Sequence, residues 1–229
     1  MSVLRILAVD TTTSSGSVAL LEDRRLVGEI AGESGTTHSA RLLGAIDRLL
    51  RSESLSIADI DVFAVAAGPG SFTGIRIGLS TVKALAFASG KPVVPVSSLR
   101  ALALKLALAG APLICPMLDA KKGEVYAALF ESAAGRLVEL IPQGAYAPDD
   151  FFARLPARRA LAFIGGGSIV FRDRIPARVL ETAVFPERTL FVAHEVGLLG
   201  LEGLAEGRGV PVDGVEPLYF RRSQAEEKH

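Results

Sequence analysis

The chain has 229 residues, enough for one large domain or two small ones with a real core. Hydrophobic residues make up 49% and charged residues 22%, which excludes a disordered chain. Lys+Arg and Asp+Glu balance at 25 each, so a broad basic face of the kind that grips RNA unaided is not expected.

Val3 to Val9 reads as a short strand that stops at Asp10 and a hydroxyl-rich turn, Thr11 to Ser15. Gly16 follows, Ser17 to Leu21 returns as a second strand, and Leu26 to Ala31 supplies a third. An amphipathic helix is expected from about Ser39 to Arg51, with Leu42, Leu43, Ile46, Leu49 and Leu50 on one broad face. Val62 to Ala67 is a continuous apolar strand. Gly68-Pro69-Gly70 turns the chain, Ser71 caps a second helix, and Gly90 and Pro92 end that helix after about Ser89. Val93 to Val96 is a further buried strand, and a third helix runs from about Ser98 to Leu108.

Gly110 and Pro112 mark a boundary, so lobes of 1–109 and 110–229 are expected, and the sequence leaves open whether the tail after about 210 packs back on the first. The second half echoes the first. Leu113 to Leu118 is an apolar strand ending at Asp119, Ala120 to Gly123 is a polar turn, and Val125 to Phe130 returns. A strand at Leu137 to Ile141, a helix around Pro148 to Leu155, a strand at Ala160 to Ile164 and a late helix at Leu190 to Ala205 complete the pattern. Two mixed α/β lobes, each opening with an Asp at a hairpin turn, describe a duplicated actin-like ATPase architecture.

Two segments invite chemistry. Asp10 with Thr11, Thr12, Thr13, Ser14 and Ser15 has the composition of a loop that cradles phosphate and holds Mg²⁺ through water, and equally that of a polar surface turn. In Gly68 to Gly74 the glycines permit close backbone approach. In the helix behind them Gly74 and Gly78 leave a nearly bare face, which a neighbouring backbone could approach closely. On another face Phe72, Arg76, Lys83 and Phe87 line up, a pairing favoured in interfaces; ordinary packing within the lobe is the competing reading.

Other signals are weak or absent. The sequence holds no Walker P-loop, Rossmann glycine fingerprint or Gly-x-Ser-x-Gly elbow, and His38, His194 and His229 are isolated rather than spaced for zinc. Gly165-Gly166-Gly167-Ser168 has the makings of a close approach to a ligand at low specificity. Cys115, the only cysteine, lies in an apolar run and reads as an inert buried thiol. Arg221 and Arg222 read first as part of a solvated tail. The stretch Leu106 to Leu118 is interrupted by Gly110, Pro112 and Pro116 and falls short of the ~20 residues a bilayer needs. A cytoplasmic protein without membrane contact is expected.

The segments Ile6 to Thr12, Gly68 to Gly78 and Leu118 to Tyr126 together resemble the TsaB (YeaZ) family, and Glu216 to Arg221 is similar to its closing Tyr-x-Arg segment, with Phe220 in place of Leu. The resemblance implies a non-catalytic subunit of the bacterial complex that adds threonylcarbamoyl to an adenosine of tRNA. It implies a heterodimer with a TsaD-type paralogue that carries the metal and the transfer chemistry, and a TsaE-type ATPase docked on the pair. The family's partner interface maps onto the first two helices, here through Leu42, Leu43, Ile46, Leu49, Phe72, Gly74, Ile75, Arg76, Gly78, Leu79, Val82 and Lys83. Asp10, Thr11, Thr12 and Ser14 would be a vestigial phosphate loop. TsaD-like chains carry two metal-binding histidines four residues apart after the strand matching Val93 to Val96. Ser98 and Leu102 stand there here, so no metal, catalytic residue or cofactor is expected in this chain alone. ATP is expected only at the complex with TsaE, tRNA contact only through the complex, and a homodimer when the chain is alone. The reading left beside this one is an ATPase or phosphotransferase of the actin-like clan acting through Asp10.

Overall fold

The computed structural model describes residues 3–14, 16–32, 38–133 and 136–220, with the backbone alone for 38–40. Two compact units are present: Met1–Ser98 with Phe191–Leu218, and Leu99–Leu190 with Tyr219–His229. In the first, β1 (Arg5–Asp10), β2 (Ser17–Glu22) and β3 (Arg25–Ala31) form the expected meander. Helix α1 (His38–Ser52) leads to β4 (Val62–Gly68), α2 (Phe72–Ser89) and β5 (Val93–Ser97), and the sheet order is β3-β2-β1-β4-β5. β1 runs antiparallel to β2 and parallel to β4, the mixed pattern that a hairpin followed by helical crossovers requires.

Alternation along these strands sorts large from small. Leu7, Val9, Val18, Leu20, Phe63 and Val65 share one core with Leu42, Ile46, Leu49 and Leu50 of α1 and Ile75, Leu79 and Val82 of α2. The opposite face carries Ala8, Ala64 and Val94 and receives α7 (Ala193–Ala205), whose Gly197, Gly200 and Gly203 recur every three residues on one stripe. A β-carbon on Gly200 would stand 2.5 Å from that of Ala64, and one on Gly203 would stand 2.7 Å from a Val94 methyl. Small residues on both sides therefore bring helix and sheet unusually close.

The second unit repeats the plan. β6 (Leu113–Lys121), β7 (Glu124–Ala133), β8 (Arg136–Tyr146), β9 (Leu161–Ile164) and β10 (Ala183–Val184) are ordered β10-β9-β6-β7-β8, the first sheet's order strand for strand. Helix α4 (Pro148–Arg154), the short α5 (Gly166–Val170) and α6 (Ala177–Leu180) complete it around a core of Phe151, Phe152, Phe163 and Phe171. The helix that follows each sheet changes sides. α3 (Ser98–Leu108) falls, from Leu99 on, in the second unit, and α7 falls in the first. The division thus lies at 98/99 rather than near 110, and the late helix grouped with the second lobe from sequence packs on the first sheet, because its glycine stripe matches the alanines there. Val215 is buried in the first core, and Leu218 N–H donates to Ala67 O at 2.8 Å.

Gly200→Val is expected to destabilise the protein by about 2 kcal/mol, because the Ala64 β-carbon has nowhere to move. Gly197→Ala is expected to cost less, since it meets mainly the rotatable methyls of Leu21. Urea unfolding checks both, and a wild-type midpoint for Gly200→Val would contradict the close approach.

Candidate functional site

The site is built on α2. β4 ends at Gly68 (φ +122°), and Gly70 (φ +157°) completes a turn that few side chains tolerate. Ser71 caps the helix by accepting the Gly74 N–H at 3.2 Å, and Gly90 closes it in the left-handed conformation. α1 packs beside α2.

The residues read from sequence as one interface divide by burial. Leu42, Ile46, Leu49, Ile75, Leu79 and Val82 are buried in the unit's own core. Leu43 is 50% exposed and Phe72 38%, while Arg76 is exposed and Lys83 half-buried. Phe87, which was not among those interface positions, is 80% exposed on the outward side of α2. The Arg76 guanidinium lies 3.9 Å from the centre of the Phe72 ring, a cation–π contact that fixes both at the start of the helix.

Gly74 and Gly78 correct the reading of a bare face open to a neighbour. The backbone that approaches them is the chain's own. A β-carbon on Gly74 would overlap Thr11 O, one on Gly78 would overlap Thr11 Oγ1, and one on Gly70 would overlap Thr12 O. Thr11 Oγ1 donates to Gly74 O at 2.7 Å, and Ser71 N–H donates to Thr12 O at 2.7 Å. The hydroxyl-rich loop is correspondingly interior: Thr11 and Thr12 are buried, and only Ser14 of the four candidate positions is exposed. Sequence reasoning missed Ser98 as part of this arrangement, where its buried hydroxyl donates to Pro69 O. Leu102 is buried, with a methyl 3.5 Å from the β-carbon position of Gly165. Gly165 and Gly167 lie against the Met117 and Leu118 backbone, so they serve helix–strand packing, while Gly166 faces open space.

Asp10 is fully buried at the end of β1. Its Oδ1 accepts Thr12 N–H at 2.8 Å and Thr12 Oγ1–H at 2.6 Å, whereas Oδ2 is buried with no hydrogen-bond partner. Burial raises its pKa to about 6 against the lowering effect of the Thr12 bonds. Asp119, at the equivalent hairpin of the second sheet, is partly buried, but its bonds to Lys121 Nζ at 2.7 Å and Lys121 N–H at 2.8 Å hold its carboxyl below the usual range. Burial pushes the Cys115 thiol well up, as expected of an inert thiol. Among the described residues no group of three His, Cys, Asp or Glu is placed to hold a metal, and no helix is long and apolar enough to cross a membrane. The His38 side chain, Arg221, Arg222 and His229 lie outside the described residues.

Because the folded state binds the Asp10 proton more tightly than the unfolded chain does, this group's contribution to stability is greatest below pH 4 and is lost as pH rises through about 6. Relative to wild type, Asp10→Asn should therefore gain about 2 kcal/mol of unfolding free energy between pH 4 and pH 7.5. Denaturation at several pH values checks this, and a difference that stays constant with pH would contradict it.

Residues 29–228 match the family model described as TsaD, tRNA N6-adenosine threonylcarbamoyltransferase. The chain is 32% identical over 231 residues to the tRNA threonylcarbamoyladenosine biosynthesis protein TsaB of Bacillus subtilis (strain 168), covering 98% of this chain and 97% of that one. It is 30% identical over 234 residues to the protein of the same name from Escherichia coli (strain K12), covering 98% of each. The solved structure of YeaZ from Pseudomonas aeruginosa superposes with a TM-score of 0.82 at 29% identity, covering 94% of this chain and 99% of that one. With that agreement over nearly the whole length, and with two actin-like five-stranded sheets of the same order, the chain belongs to the TsaB family.

Proposed function

We propose that this chain is a non-catalytic subunit in the biosynthesis of tRNA threonylcarbamoyladenosine, and that it supports a TsaD-type paralogue through the outward face of α1 and α2. The observation that carries the reading is the exposed set Leu43, Phe72 and Phe87, with Arg76 stacked on Phe72. Aromatic and arginine side chains anchor protein interfaces, and apolar surface of this kind is seldom left uncovered. The buried members, from Leu42 to Val82, act from beneath by fixing the two helices to the sheet. Gly74 and Gly78 act the same way, through the chain's own loop.

The positions that would carry the paralogue's metal ligands support a role without chemistry. Ser98 engages its hydroxyl with Pro69 O, and Leu102 is an apolar core residue; neither is a transition-metal ligand. In the Asp10 loop the Thr11 hydroxyl is engaged by Gly74 O at the start of α2 and the Thr12 hydroxyl by Asp10 Oδ1, so neither is turned toward a phosphate. In this reading ATP enters through a TsaE-type subunit docked on the heterodimer, and tRNA is engaged by the assembled complex. In the absence of the paralogue the same apolar face pairs two copies of the chain.

Phe72→Ala is expected to raise the Kd for the TsaD-type paralogue at least tenfold, roughly the effect of losing a 1.4 kcal/mol anchor. Isothermal titration calorimetry reads this, and an unchanged Kd would sink the interface. Sedimentation of the isolated chain should show a concentration-dependent dimer that Phe87→Glu converts to monomer. A wild-type chain that stays monomeric at high concentration would contradict the self-pairing.

A further inference from the structure

We infer that the Thr11–Thr12 loop is an internal clamp that sets the position of the partner-binding helix, with the hydroxyls of Thr11 and Ser98 as its positioning groups. The inference rests on the reading of α2 as the partner helix. Three separate parts of the chain converge on the segment from Ala67 to Gly78. Thr11 Oγ1 donates to Gly74 O and Thr12 O accepts from Ser71 N–H, both at 2.7 Å. Ser98 Oγ donates to Pro69 O. Leu218 N–H donates to Ala67 O at 2.8 Å, and Leu218 O lies 2.7 Å from where a Gly68 β-carbon would stand.

Thr11, Thr12 and Ser98 are buried, so water cannot substitute for these bonds without opening the structure. One loop also accounts for three glycines. Gly70 makes room for Thr12 O, Gly74 for Thr11 O and Gly78 for the Thr11 hydroxyl, which reaches a helix carbonyl only because position 78 has no side chain. Phe72 and Arg76 are carried on the same first two turns of α2, so a shift of these turns against the loop would move both anchors together. Packing alone would ask only for the shape of a threonine. The donated bond asks for its hydroxyl, and that difference makes the inference testable.

The test compares Thr11→Val, which keeps the shape and loses the donor, with Thr11→Ser, which keeps the donor, and with Phe72→Ala. Each variant is titrated against the TsaD-type paralogue, and amide hydrogen exchange of α2 is followed in the isolated chain. Thr11→Val should raise the Kd about tenfold and speed exchange over residues 75–79 about tenfold, while Thr11→Ser stays within threefold of wild type in both. If Phe72→Ala weakens binding and Thr11→Val does not, the clamp is overturned and the interface stands. Equal losses in Val and Ser would also overturn it, because shape rather than the hydroxyl would then be responsible. If Phe72→Ala binds like wild type, the interface reading fails and exchange decides: faster exchange in Val alone upholds the clamp on α2, and unchanged exchange overturns it.

Discussion

The close contact between the Thr11–Thr12 backbone and the glycine face of α2 is the constraint on which the rest of the first unit depends. Three positions, Gly70, Gly74 and Gly78, give up side chains so that a loop carbonyl or hydroxyl can take their place. The contact replaces van der Waals packing with buried hydrogen bonds, and such bonds are strict about geometry in a way that methyl groups are not. Once α2 is seated, its core face can share one cluster with Phe63 and Val65, and its outward face is fixed in orientation. The outward face of α2 is thus set by the contacts that the helix makes on its other sides.

The two sheets repeat one topology, yet their opening hairpins treat the acidic residue differently. Asp119 has Lys121 beside it and keeps its charge cheaply at a partly exposed turn. Asp10 has only Thr12, and one of its oxygens is buried without a partner. In the second unit the turn residues Lys121, Lys122 and Gly123 all take positive φ and lie at the surface or near it. In the first, the turn is drawn inward by α2. The two sheets share one strand order, and in the first the contact with α2 accompanies the burial of Thr11 and Thr12.

Strands and their ends were legible from local signals. Asp10, Gly68-Pro69-Gly70 and Gly90 fall where β1, β4 and α2 stop. Short elements escaped: β10 is only Ala183–Val184, and α5 and α6 have five and four residues, too few for any periodicity to register. Sequence disclosed the gap at Gly74 and Gly78 but not what fills it, since Thr11 lies 63 residues away from Gly74. The same limit applies to α7, read from sequence only as a late helix, because Ala8 and Ala64, which Gly197 and Gly200 meet, belong to distant strands. Polar composition left two readings open at the Asp10 loop, and only the fold shows that the Thr11 and Thr12 hydroxyls enter buried bonds to Gly74 O and Asp10 Oδ1.

In the proposed reading the two-sheet frame serves to hold the outward face of α1 and α2 in place, while Ser98 donates to Pro69 O and Leu102 is buried. Reconstitution tests that account most directly: threonylcarbamoyl incorporation into tRNA is measured with this chain alone, with the TsaD-type paralogue alone, and with both, in the presence of the TsaE-type ATPase and the threonylcarbamoyl donor. The account predicts full incorporation only when both are present and none with this chain in place of the paralogue. Modified tRNA formed by this chain without the paralogue would contradict it.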